Sequence, residues 1–115
     1  MGKMYRQGDV LLIKVDGLPK KTTKKDNILA LGEKTGHYHE IVGAGVATYS
    51  GGETKDDVLN GVQWVVAESP AILEHKKGQE LTKDHAPIAI DPGTYKVVVQ
   101  REYVSPAKVS SRDWD

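Results

Sequence analysis

The sequence predicts an all-β domain: a small antiparallel β-sandwich or barrel, jelly-roll or cupin-like in size, with about seven or eight strands. Short runs rich in Val, Ile, Thr and Tyr recur along the chain, each closed by turn-forming residues. Gly and Pro return too often for a long helix, and no stretch keeps a helical apolar period over three turns.

The elements follow in order. Val10 to Val15 is a β-branched and Leu run behind a Gly8-Asp9 turn signal, so it is predicted as a mostly buried strand. Gly17 to Asn27 carries Lys20, Lys21, Lys24 and Lys25 around two threonines and is expected as a solvated loop. Ile28 to Leu31 is a short strand closed by Gly32. His37 to Val42 and Val46 to Tyr49 flank Gly43-Ala44-Gly45 and suggest a hairpin. Ser50 to Gly61 is polar and Gly-bearing, a second loop. Val62 to Ala67 has high β-propensity. Ala71 to His75 follows the break at Pro70, and Lys76-Lys77-Gly78 is expected to turn the chain. Ala86 to Ile90 leads to the strong turn Asp91-Pro92-Gly93. Thr94 to Val104 is the clearest strand: Tyr95, Val97, Val99, Arg101 and Tyr103 share one face, and Lys96, Val98, Gln100 and Glu102 the other.

A chain of 115 residues is expected to form one domain, 1–115, with a loose polar tail over 105–115. Phe is absent, so Val, Ile, Leu and Ala must fill the core, with the tyrosines and Trp64 as bulky members. Sixteen basic residues balance sixteen acidic ones, which gives no global electrostatic pull toward nucleic acid or anionic lipid. Without cysteine there are no disulfides, thiolate nucleophiles or Cys-based zinc sites. No secretory signal or spanning apolar run is recognisable, so a cytoplasmic (host cytoplasm) or virion location is expected, with no membrane partner.

The histidines carry the chemistry. Gly36-His37-Tyr38-His39 places two imidazoles on one face of a strand, together with Ile41, while Tyr38, Glu40 and Val42 take the other. Imidazoles aimed at an apolar interior need hydrogen-bond partners or a metal. His85 precedes Pro87 at a strand entrance, and His75 shares a face with Ala71 and Leu73. The candidate metal ligands are therefore His37, His39 and His85, with His75 a weaker fourth and Glu40 or Glu74 as carboxylate options. Zinc, iron, nickel and manganese all suit such ligands. Glu40 would need a twist or bulge to join the same site. The bland alternative is a set of structural histidines, each hydrogen-bonded locally. Arg101, Tyr38 and Glu40 are candidate pocket-lining residues, although a cross-strand ion pair is the commoner explanation for the polar mixture around Arg101. No P-loop, dinucleotide fingerprint or nucleophile elbow is present, so no nucleotide cofactor is expected.

Several segments form an ordered pattern: Arg6-Gln7-Gly8-Asp9-Val10-Leu11-Leu12-Ile13, Gly32 to His39, His85-Ala86-Pro87-Ile88-Ala89-Ile90, Gly93-Thr94-Tyr95 and Gln100-Arg101-Glu102-Tyr103. From Arg6 to Tyr103 the chain resembles a family of small uncharacterised proteins encoded by tailed bacteriophages and by bacteria. The resemblance groups His37, His39 and His85 in one pattern and implies no established activity. A looser similarity to metal-binding cupins rests on the His-x-His element alone. Glu40 follows it immediately and the second cupin motif is not recognisable, so cupin catalysis is not carried over.

Two functional expectations result. The first is a β-domain that binds a divalent metal and, if an enzyme, performs metal-activated hydrolysis or isomerisation. The alternative is a non-enzymatic phage structural or interaction protein, a virion component or accessory factor, for which homo-oligomers are an option because exposed edge strands favour assembly. Nucleic-acid binding ranks third.

Overall fold

The computed structural model describes residues 3–31, 36–52, 55, 62–83 and 85–99. The described residues form eleven strands: β1 (Met4–Gln7), β2 (Val10–Val15), β3 (Thr22–Lys25), β4 (Ile28–Leu31), β5 (His37–Val42), β6 (Val46–Gly51), β7 (Gln63–Ala67), β8 (Ala71–Lys77), β9 (Glu80–Leu81), β10 (Ile88–Ile90) and β11 (Gly93–Val99). They form two antiparallel sheets that face each other as a sandwich. One has the order β1-β2-β11-β7-β6-β3 and the other β10-β8-β5-β4, with β9 paired to β8.

Alternation builds the core. Leu12 and Val97 are direct partners across β2 and β11, and Tyr95 and Val65 across β11 and β7. From the opposite sheet come Leu29, Ile41, Leu73, Ala71 and Ile90, and all of these residues are buried in one cluster. Fully burying an aliphatic side chain of this size contributes roughly 1.5–3 kcal/mol. Tyr5 meets Tyr95 edge-on, with ring centroids 5.9 Å apart, so β1 joins the same layer.

Glutamines stitch the sheets. Gln63 on β7 donates to Leu29 O on β4 at 2.6 Å, and Gln7 on β1 donates to Leu73 O on β8 at 3.0 Å. Where β3 passes into β4, Thr48 donates to Asn27 Oδ1 at 2.8 Å.

The structure departs from the expected elements in several places. β5 and β6 do not form a hairpin. Val42 pairs with Ile72 in one sheet and Val46 with Ala67 in the other, so Gly43-Ala44-Gly45 carries the chain between sheets. A Cβ on Gly43 would lie 3.0 Å from Val46 Cγ2 and 3.2 Å from Ala71 Cβ, which explains the small residue at this crossing. Within the expected loop 17–27, Thr22 to Lys25 forms an edge strand against β6. Its side chains are exposed or half-buried, so it lacks an apolar face that would mark it, and its lysines suit an unpaired edge. Lys76 and Lys77 still belong to β8, and the turn falls at Gly78. Met4–Gln7 and Glu80–Leu81 are strands that no pattern signalled. The expected continuation of β11 through Arg101 to Val104, and the tail 105–115, lie outside the described residues. Among the described residues no helix is long and apolar enough to cross a membrane.

Candidate functional site: a histidine cluster between the sheets

Strand pairing brings the first two histidines together. β5 and β8 run antiparallel without a bulge, and His39 lies directly opposite His75, the next pair after Ile41–Leu73 on the same face. Both histidines therefore continue the inward face that begins in the apolar core. They are nearly as buried as that core, at 3% and 4% exposure. His37 occupies the next row outward, opposite Lys77, and is half-buried. His85 enters from the segment ahead of β10 and is also half-buried.

The four rings cluster. His75 is central, with centroids 4.6 Å from His39, 4.8 Å from His85 and 5.2 Å from His37. His39 and His85 are 5.9 Å apart, so His39, His75 and His85 close a triangle. Imidazoles bound to a single ion through nitrogens at about 2.0–2.1 Å have ring centroids about 4.5–5.5 Å apart. The ring positions lie close to that spacing. Nevertheless, among the described residues no three His, Asp or Glu side chains already have their donor atoms gathered for an ion.

Hydrogen bonds orient the two buried rings. Gln7 Nε2 donates to Leu73 O at 3.0 Å and to Ala86 O at 2.8 Å. Both partners are carbonyls, so the amide orientation is determined and Oε1 must be an acceptor. His39 Nδ1 lies 2.9 Å from that oxygen and therefore carries the proton. In the neutral ring the lone pair is then on Nε2. His75 Nδ1 is hydrogen-bonded to Thr82 Oγ1.

Gly8 forms a wall of the cluster. It follows Gln7 in the β1–β2 turn with φ +57°, a conformation that glycine adopts readily. A Cβ there would come within 2.9 Å of His85 Nε2 and 3.4 Å of His39 Cε1. A side chain at position 8 would press on the His85 ring, while His39 would stay at ordinary contact distance.

All four candidate histidines are thus brought together, and His75, with the least support from sequence, occupies the middle. Tyr38 and Glu40 are not brought to them. They project from the opposite face of β5, where Tyr38 donates to Gly78 O and Glu40 pairs with Lys76 at 3.0 Å. Glu74 also pairs with Lys76, at 3.2 Å. The hydrogen bonds that Lys76 donates to these two carboxylates, Glu40 first, raise its pKa above the ordinary value. Arg101 lies outside the described residues. Sequence reasoning missed Gln7, Gly8 and Thr82 as supports of the cluster. Gln7 and Gly8 stand inside the Arg6–Ile13 segment, where a Gly beside a buried-strand signal was the available hint.

A family model for a domain of unknown function (DUF8820) matches residues 6–100, a span that contains Gln7, Gly8 and all four histidines. Neither a curated protein nor a solved structure matches the chain. With most of its length covered by the family model, the chain belongs to the DUF8820 family of domains of unknown function.

Proposed function

We propose that this domain binds a divalent transition metal through the histidine cluster, with His39, His75 and His85 as ligands and His37 at the outer side. The closed triangle of rings, at separations of 4.6, 4.8 and 5.9 Å, carries the reading. The support of His39 by Gln7 and of His75 by Thr82 matches the way metal-ligating imidazoles are usually held through their second nitrogen. A wholly imidazole set is neutral and favours zinc, nickel, iron or manganese over magnesium or calcium, which prefer oxygen. Three protein ligands would leave a position for water or substrate, and an ion so held would supply the acidified water of metal-activated hydrolysis.

The test is elemental analysis of untagged protein, followed by zinc and nickel titration of the wild type and of a His39→Ala, His75→Ala double variant. The wild type should take up one equivalent and the double variant none. A folded wild type that holds no metal and takes up neither ion overturns the proposal.

A second reading, a non-enzymatic phage structural or accessory protein, draws on the outer face of β5 and β8. Val42 and Ile72 are direct partners there, with 38% and 44% exposure. The tailed-phage and bacterial resemblance supports the same reading, with a second copy of the chain as the natural occupant. Native mass spectrometry showing assembly that Ile72→Lys abolishes would favour it, and a strictly monomeric protein would remove it.

A further inference from the structure

We propose that Gln7 is the positioning residue of the histidine cluster, selecting the tautomer of His39 and anchoring the segment that carries His85. This rests on the metal-site reading for its consequence but not for its geometry. Gln7 is 3% exposed and uses both amide donors and its carbonyl oxygen on different parts of the site. One donor goes to Leu73 O, on the strand that carries His75. The other goes to Ala86 O, the residue after His85. The acceptor takes the Nδ1 proton of His39. One amide on the opposing sheet thereby connects to the strand or segment of each ring in the triangle.

The chemical consequence is specific. An imidazole side chain in water favours the Nε2–H form, which would put its lone pair on Nδ1. The Gln7 amide cannot reverse its own orientation without facing two carbonyls with its oxygen. It therefore holds His39 as Nδ1–H, with Nε2 as the basic nitrogen. A residue that merely filled space at position 7 would impose no tautomer.

The experiment is long-range proton–nitrogen NMR of the imidazoles in 15N-labelled, chelator-treated protein at a pH where the rings are neutral. His39 in the wild type should show a protonated Nδ1 and an unprotonated Nε2. Gln7→Leu should move it toward the Nε2–H form. Gln7→Glu keeps an acceptor for Nδ1–H but loses both donors, so it should retain the tautomer while amide exchange at Ala86 accelerates. Wild-type His39 in the Nε2–H form overturns the proposal, even if neither variant folds. An unchanged tautomer in folded Gln7→Leu also overturns it. Zinc competition gives the separate metal readout: Gln7→Leu should bind about 10–100-fold more weakly. If the wild type shows the Nδ1–H tautomer but takes up no zinc, the metal reading fails and the positioning role stands.

Discussion

Two neighbouring rows on the inward face of the same strand pair behave differently. Ile41 opposite Leu73 and His39 opposite His75 share parity, sheet face and near-complete burial. The first row is held by close packing in the apolar core and needs no particular partner atom. The second row buries polar rings, which is favourable only if their nitrogens are satisfied, so it depends on Gln7 and Thr82 from outside the pair. The apolar row stabilises the sandwich, and the histidine row spends part of that stability on a polar cluster at its margin.

The strongest way to break this comparison is to empty the apolar row. Leu73→Ala removes a fully buried side chain and should cost about 2–5 kcal/mol in urea or thermal unfolding. A loss under about 1 kcal/mol would mean the row is not a mainstay of the fold. At nearly equal burial, His39→Ala strips Gln7 Oε1 of its donor and should cost about 1–3 kcal/mol. If it costs as much as Leu73→Ala, the distinction between the rows fails. Gly8→Ala should come next, at about 1–2 kcal/mol for a side chain in left-handed backbone. It should also displace the His85 ring, visible in its NMR shifts, while leaving the apolar row undisturbed.

Away from both rows the effects should be small. Lys76→Met removes the outer-face pairs with Glu40 and Glu74 and should change stability by about 1 kcal/mol or less, because partly exposed ion pairs are screened. The smallest effect at neutral pH belongs to the Tyr95 hydroxyl, which donates to Asp91 O at 2.6 Å. Burial, followed by the neighbouring Tyr5, pushes its pKa up to about 12. In the unfolded chain it ionises near pH 10. Its stabilising contribution is therefore complete below about pH 10 and lost as pH rises toward about 12. Melting curves between those values should fall more steeply for the wild type than for Tyr95→Phe, and parallel curves would contradict the assignment.

Much of the fold was legible because alternation records burial directly. The Tyr95, Val97 face shows it plainly, the His37, His39, Ile41 face was readable for the same reason, and Val10 to Val15 was legible as a continuous apolar run. Thr22 to Lys25 was not legible, since an edge strand with no buried face has the composition of a loop. The β5–β6 connection was misread as a hairpin because spacing does not reveal which sheet a strand joins. In the cluster, the central position of His75 comes from its register opposite His39, which no local pattern encodes.

By itself, the sequence determined an all-β chain, its main strand faces and two imidazoles pointing inward from one strand, because side-chain parity is a local property of extended backbone. Only the tertiary structure decided that His75 would stand at the centre, that Glu40 and Tyr38 would face away, and that Gln7 and Gly8 from the opposing sheet would close the site. These follow from long-range register and from the packing of one sheet on another, where residues far apart in the chain share hydrogen bonds.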